Sequence, residues 1–406
     1  MRSGLVFGMS FELSENRDSL DKSTGGQHYD SQEGEFQETA GSMPASKADR
    51  VPAVTRAVRI LQHIAQCSDG SNLSDLSRAV DAPKSSVLNV CNALLSERLL
   101  DRDTIGNYSL GLRIAEFAFS QAAQSPRLTS IGIATQGVHN PFFVEEQEGV
   151  VTSAHARDIR TTVLNAGRSL KTQVDQLRKF SREDVDVVLV DAVDSNGIAP
   201  GIEALHRRGK LVIAMNAGAI GCDATVTTDN VEAGQLVGRY LNELLPDQAE
   251  VAIIGGNPVS GVFDRIVGFL SAVREQEQLL VVDREDGDQT EEGGYLATGK
   301  ILQRQSKLRA IFAINDPTAI GAAKALREEG RDLFIVSVDG SSQAIEMIRQ
   351  QNYIIATAAQ DPRAIGETAV ALAELLFAGT AMHNRFHALP PRLITHANLN
   401  SYRPWG

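Results

Sequence analysis

From Leu128 onward the chain repeats one pattern, an apolar β-branched run followed by an amphipathic helical stretch. Strand candidates are Thr129–Ala134, Thr161–Leu164, Asp186–Val190, Lys210–Met215, Glu250–Ile254, Arg309–Ile314 and Phe334–Val338. Helical periodicity marks Val231–Leu244, Phe263–Gln276, Thr318–Glu328 and Arg363–Phe377 between them. The Val/Ile runs are continuous, which points to strands buried on both faces, as in parallel sheets covered by helices. The large part of the chain is therefore expected to be α/β. In such sheets ligands sit beyond the carboxyl ends of the strands.

Polar residues gather at those ends. Asn140-Pro141-Phe142-Phe143 follows the first strand, and Asn216 follows Val212-Ile213-Ala214-Met215. Asp264-Arg265 lies beyond Ile253-Ile254 and its loop, and Asn315-Asp316 follows Ile311-Phe312-Ala313-Ile314. Asp339-Gly340 follows Val336-Ser337-Val338, and Gln360 follows Ala356-Thr357-Ala358-Ala359. Any one of these reads as a helix cap or a turn residue. Gathered at equivalent topological positions, amide, carboxylate and guanidinium groups around two Phe rings suit a polyhydroxylated ligand. Its hydroxyls need paired donors and acceptors, and its ring needs an apolar face.

The order Asn140-Pro141-Phe142-Phe143, Thr228-Asp229-Asn230, Arg265-Ile266-Val267-Gly268-Phe269, Phe312-Ala313-Ile314-Asn315-Asp316, Ile320-Gly321-Ala322, Val338-Asp339-Gly340 and Ala359-Gln360 resembles the ribose-binding-protein group of type I periplasmic binding proteins. The effector domains of LacI-type repressors share that fold. The resemblance runs from about Leu128 to the C-terminus. It implies two α/β lobes with parallel sheets, joined by a hinge. It also implies that Asn140, Arg265, Asn315, Asp339 and Gln360 bind sugar hydroxyls, that Phe142 and Phe143 flank the ring, and that Gln136 contributes. Where the ribose binders carry an Asp-Arg pair after the fourth strand, this chain has Asn216-Ala217. The Asn216 amide still hydrogen-bonds, but a charge-assisted clamp of roughly 1.5–3 kcal/mol is missing, which counts against ribose itself.

Upstream, Val54, Val58, Leu61 and Ile64 recur at helical spacing and make one apolar face. Asp69-Gly70-Ser71 breaks that helix. Asn72 caps the next, with Asp75 in the capping-box position and Leu73, Leu76 and Val80 inward. Pro83 suits the first turn of a third helix. On its wheel Val87, Val90, Cys91 and Leu94 share one side. Ser85, Asn89 and Asn92 share the other, with Lys84 and Ser86 near its start. Small polar groups on an exposed helix face are what reading base edges in a major groove requires. Leu99–Arg102 and Asn107–Leu110, split around Gly106, read as a wing hairpin, and a helix from Leu112 to Ala122 leads out.

The segments Val51–Ala57 with Leu61, Leu73-Ser74-Asp75-Leu76, Pro83–Val87, Leu94-Leu95 and Tyr108-Ser109-Leu110-Gly111 resemble the IclR-type winged helix-turn-helix. That family normally continues into a different effector domain. The resemblance implies an all-α winged helix-turn-helix module, with Pro83 to Leu95 as recognition helix and Arg56 as a phosphate contact. With Arg56, the DNA-facing set is Lys84, Ser85, Ser86, Asn89 and Asn92.

Residues 1–48 are rich in Ser, Gly, Gln, Glu and Asp without apolar periodicity, and a disordered tail is expected there. The expected organisation is that tail, a DNA-binding module at 49–122, a linker at 123–127 and an effector domain at 128–400. The net charge of -12 gives no bulk attraction to nucleic acid, so any DNA contact must come from a local surface. Cys67, Cys91 and Cys222 are too few and scattered for a disulfide framework or zinc cluster. GxSxG, HExxH, P-loop and spaced Cys/His patterns are absent, and Gly255-Gly256-Asn257-Pro258 lacks GxGxxG spacing and reads as a strand-end turn. His139, just before the binding motif, reads as a pocket-rim residue and not as a general base. Neither catalysis, nor a cofactor, nor a metal is expected. No run of eighteen apolar residues and no export-signal pattern occur. The expectation is a cytoplasmic homodimeric regulator whose partners are operator DNA and a small sugar or sugar alcohol. The alternative is the binding component of a sugar transporter, which would share the large domain but have no use for a DNA-binding module.

Overall fold

The computed structural model describes residues 52–67, 70–103, 105–119, 126–138, 140–246, 248–275, 279–380, 382 and 384–406. The expected tail at 1–48, the end of the exit helix at 120–122, linker residues 123–125 and His139 lie outside the described residues.

The N-terminal module comprises α1 (Pro52–Ile64), α2 (Leu73–Ala79), α3 (Lys84–Ser96), β1 (Leu100–Arg102), β2 (Tyr108–Leu110) and α4 (Leu112–Phe119). Asn72 caps α2 by accepting from the amides of Ser74 and Asp75 at 2.9 and 3.1 Å. β1 and β2 pair antiparallel as the wing, and a bridge from Ser71 to Tyr108 extends it. The core closes around Ile60, Ile64, Leu76, Val87, Cys91, Leu94, Leu100 and Tyr108. One expectation is corrected here. Val54 and Val58 are 59% and 47% exposed, so the inward stripe of α1 is Ala57, Ile60, Leu61 and Ile64, one register step away. Ile60 lies one position before Leu61, and periodicity alone does not choose between two overlapping apolar stripes on a short helix.

Lobe 1 holds β3 (Ser130–Thr135), α5 (Pro141–His155), β4 (Arg160–Asn165), α6 (Leu170–Phe180), β5 (Val187–Val190), α7 (Ala199–His206), β6 (Leu211–Met215) and β7 (Ala224–Thr228). Lobe 2 follows with α8 (Asn230–Leu244), β8 (Ala249–Gly255), α9 (Ser260–Glu275), β9 (Leu279–Asp286), α10 (Glu291–Arg304), β10 (Leu308–Ala313), α11 (Asp316–Glu328), β11 (Phe334–Asp339), α12 (Ser342–Arg349) and β12 (Ile354–Ala359). The chain then returns to lobe 1 with α13 (Pro362–Phe377) and β13 (Phe386–Leu389), and crosses again to β14 (Arg392–Thr395). The sheet orders are β13-β7-β6-β5-β3-β4 and β14-β12-β11-β10-β8-β9. Every pairing is parallel except β14 against β12.

Each sheet is covered on both faces. Leu177, Phe180, Ile198 and Leu205 pack on one face of lobe 1, and Phe142, Val150, Ile365 and Leu372 on the other. Lobe 2 repeats the arrangement with Phe269 stacked on Phe312 at 4.5 Å, and Ala297, Ile301 and Leu326 opposite. Leu112 of α4 is buried in the α5–α13 core, which fastens the N-terminal module to lobe 1. The connections between lobes lie at Asp229, at 360–361 and at 390–391, the hinge implied by the resemblance. The expected strands are all present. β7, β9, β12, β13 and β14 stand beyond that set, as do α5, α6, α7, α10 and α12.

Candidate functional site

The carboxyl ends of the two sheets face each other across a cleft. On the lobe 2 side, α8 and α9 pack backbone to backbone. A Cβ on Gly234 would lie 2.0 Å from the Arg265 carbonyl, and one on Gly268 would lie 1.9 Å from that of Val231. That approach lets Arg265 reach inward under the strands. Its Nε donates to Asn230 Oδ1 at 2.8 Å, its Nη1 donates to the Ile314 carbonyl at 2.7 Å, and Asp339 Oδ1 stands 3.6 Å away. Asp339 also accepts from Gln360 Nε2 at 2.7 Å and from the Asp316 amide at 3.3 Å. Burial pushes the Asp339 carboxyl up to about 7 against the pull of Arg265, and burial lowers Arg265 against Asp339, Asp316 and Asp264. Neighbouring Asp316 is a scaffold. Its carboxylate accepts from Ser337, Ser341 and Thr357 hydroxyls at 2.6, 2.8 and 2.9 Å.

Asn315 caps α11 by accepting from the Thr318 amide at 3.1 Å, while its Nδ2 donates to the Gln289 carbonyl at 3.3 Å. Asn140 caps α5 through the Phe142 amide at 3.0 Å. Both asparagines are thus caps that also line the cleft. Asn216 has φ +60°, a left-handed conformation that asparagine tolerates better than most residues.

The cleft contains a cavity of about 480 Å³ bordered by Gln136, Asn140, Phe143, Arg168, Gln289 and Asp339 among others. A narrow recess of about 20 Å³ is lined by Asn140, Phe142, Phe143, Asn216, Arg265, Gln289, Asn315, Asp339 and Gln360. All nine residues expected around the ligand thus line one or both spaces. Phe143 borders both. Phe142 borders the recess alone and packs edge-on to Phe143 and to Trp405 at 5.4 and 5.6 Å. Two buried atoms in the recess wall lack a hydrogen-bond partner, Gln360 Oε1 and Gln289 Nε2. An unmatched acceptor and donor, each costing about 1–3 kcal/mol while buried, are what a hydroxylated ligand satisfies.

On the N-terminal module, Lys84, Ser85, Asn89 and Asn92 are exposed along α3. Ser86 is half-buried and accepts from Arg56 Nη1 at 2.7 Å, so two residues expected to face DNA hold each other.

The comparisons with known proteins follow the same division. A family model described as a periplasmic binding protein domain matches residues 131–381. The chain belongs to that family. A second model, the IclR helix-turn-helix domain, matches residues 53–104. The Ribose import binding protein RbsB of Bacillus subtilis is 27% identical over 262 residues, 64% of this chain and 85% of that protein. A solute binding protein from Mycobacterium smegmatis, solved with bound glycerol, is 25% identical with a TM-score of 0.65, covering 69% of this chain and 99% of its own. A periplasmic solute binding protein from Actinobacillus succinogenes, solved with D-allose, shares the fold at 23% identity and a TM-score of 0.63, over 68% and 100% of the two chains.

Several cleft residues had no signal in the sequence reading. Gln289 has φ +56°, beside Asp288 at +50°, in the loop after β9, a strand that was not anticipated. Gly256 makes room for it, since a Cβ there would lie 2.5 Å from Gln289 Cγ. The Gly255–Pro258 turn thus serves the cleft. Arg168 of lobe 1 donates to the Asp288 carbonyl of lobe 2 at 2.7 Å and pairs with its carboxylate. Trp405 donates to the Gln360 carbonyl at 3.1 Å while its ring lies on Phe142, so the segment after residue 400, outside the expected effector span, touches both lobes. Among the described residues, no group of metal-ligating side chains is assembled and no helix is long and apolar enough to cross a membrane.

Proposed function

We propose that this protein is a cytoplasmic transcription regulator, without catalytic activity, that answers to a small sugar or sugar alcohol. The carrying observation is that a two-lobed cleft with unmatched polar atoms shares its lobe 1 core with an IclR-type helix-turn-helix. Arg265, Asp339, Asn315, Gln360 and Asn140 bind hydroxyls, Phe143 covers a ring face with Phe142 behind it, and Gln136 and Asn216 complete the wall. Lys84, Ser85, Asn89 and Asn92 meet the major groove, with Arg56 and Ser86 at its edge. A homodimer presents two recognition helices to half-sites about one helical turn apart, roughly 34–36 Å. Ligand alters DNA affinity only insofar as it prefers one arrangement of the lobes.

The relatives' names favour a second reading, a transporter's binding component. The helix-turn-helix has no role in that reading. A gel-shift titration of the full chain on its own upstream region and on sugar-uptake promoters, with and without ribose, allose and polyols, separates the two. Specific binding that shifts with sugar supports the regulator. Sugar binding without any specific DNA binding supports the transporter component.

A further inference from the structure

The wing of the helix-turn-helix lies against the hinge. Asp101, on the first wing strand, is 8% exposed, and its Oδ2 accepts from Nδ1 of His387, 2% exposed, at 2.8 Å. His387 sits on β13, two residues before that strand's last residue, after which the chain crosses to lobe 2 at 390–391. β13 runs parallel to β7, whose end is another crossing, and the Asp229 amide donates to the Leu389 carbonyl at 2.8 Å. Two of the hinge connections are therefore bonded to each other, and the wing is bonded to the strand that leads into one of them.

Arg102 lies over the Tyr108 ring, 5.6 Å from its centroid. Glu232 stands in the first turn of α8. Burial raises the Glu232 carboxyl and Asp229 adds to this, while the Arg102 charge opposes both. Elsewhere the module is held by lobe 1, through Leu112 in the core and Arg98 on Thr368 and Glu367 of α13. Module and lobe 1 thus move together, and the wing is the part placed to register a change at the hinge.

We propose that the wing reads the state of the hinge through the Asp101–His387 hydrogen bond, so that lobe closure and wing position form one equilibrium. The coupling has a purpose only under the regulator reading above, but measurements without sugar test it independently. Such coupling is reciprocal. Loosening the wing contact must therefore loosen the hinge.

The experiment is amide hydrogen exchange on the full chain. Asp101→Ala is expected to speed exchange in residues 226–232 and 386–392 by about fivefold or more, the lower end of ordinary allosteric coupling. Asp103→Ala is the control. The Asp103 carboxylate accepts only from Ile105 and Asn107 amides of its own turn among the contacts described, so its loss frees the wing tip and leaves the hinge at the wild-type rate. Hinge rates that are the same in both variants overturn the proposal. Should Asp101→Ala unfold the module, His387→Phe on β13 decides, because losing the donor to Asp101 must change exchange in the wing, 99–111, and an unchanged wing overturns the coupling. A final arm adds D-ribose, D-allose or glycerol. A probe that protects the cleft must alter wing exchange in the wild type and not in Asp101→Ala. If no probe protects the cleft, the sugar reading suffers while the sugar-free arms still judge the coupling.

Discussion

Lobe 2 brings to the cleft groups already bonded to one another, with Arg265 fixed by Asn230 and Ile314 and Asp339 fixed by Gln360. Lobe 1 brings Phe143 and Phe142, the capping amide of Asn140, and Gln136 and Asn216. The contrast follows from burial. A guanidinium and a carboxylate taken from water must be paired before any ligand arrives, whereas aromatic rings carry no such demand and an amide a smaller one. Lobe 2 is accordingly the pre-organised wall and lobe 1 the adaptable one. Lobe 1 is also the wall to which the DNA-binding module is fastened. Affinity should therefore depend most on lobe 2, and the transmitted signal on how lobe 1 meets it.

The largest effect is expected from Arg265→Ala. It removes a group proposed to bind hydroxyls and leaves Asp339 buried without its cation, and breaking a buried pair costs about 3–5 kcal/mol. Calorimetry should show sugar binding lost, and thermal unfolding should show the chain destabilised. The contrast between lobes breaks if Arg265→Ala keeps its affinity, or if its stability is that of the wild type.

Next comes Asn89→Ala on the exposed face of α3. Loss of a base-edge contact should weaken a specific site by about 1–3 kcal/mol and leave random DNA nearly unaffected. Ser86→Ala should do less at the bases, since its hydroxyl is engaged by Arg56. Equal losses on specific and random DNA in a gel-shift titration would remove α3 as the reading helix.

Gln136→Ala sharpens the comparison from the lobe 1 side. Losing one neutral hydrogen bond to the ligand costs about 0.5–1.5 kcal/mol, so affinity should fall about threefold to tenfold with the melting temperature unchanged. A larger loss than that of Arg265→Ala would reverse the roles of the two walls.

What the sequence disclosed follows the same physics. Continuous Val/Ile runs disclosed the parallel strands, because burial on both faces leaves no other pattern. Residues at strand ends disclosed the polar cleft, because an α/β sheet places its ligands there. Gln289 stayed hidden since it follows β9, an edge strand whose second half is Asp283, Arg284, Glu285 and Asp286 and so breaks the continuous apolar pattern of the other strands. The Asp101–His387 and Arg98–Thr368 contacts join residues 286 and 270 positions apart, and no local periodicity reports a pairing at that separation. The α1 stripe was misplaced for a local reason, the presence of Ile60 beside Leu61.

The smallest effect concerns a pair that serves neither wall. Glu146 of α5 and Asp191, just past β5, are 0% and 2% exposed, and both Glu146 carboxyl oxygens are buried without a hydrogen-bond partner. Burial holds both carboxyls above their ordinary range, and Asp191 further raises Glu146. Glu146 is thus the carboxyl that holds its proton to the higher pH. The folded chain keeps a proton here that the unfolded chain releases above about pH 4, the ordinary carboxyl range. Stability from this pair is therefore greatest at acid pH, falls as pH rises from there toward the raised folded values, and levels off above them. Glu146→Gln supplies an amide donor of the same shape that does not titrate. It should leave stability near the wild-type value at pH 5 and raise it at pH 8 by roughly 1 kcal/mol, about 2–4 °C in melting temperature for a domain of this size. Thermal unfolding at both pH values checks the sign. A variant destabilised equally at pH 5 and pH 8 would show that Glu146 holds lobe 1 together by packing alone, with no proton retained there on folding.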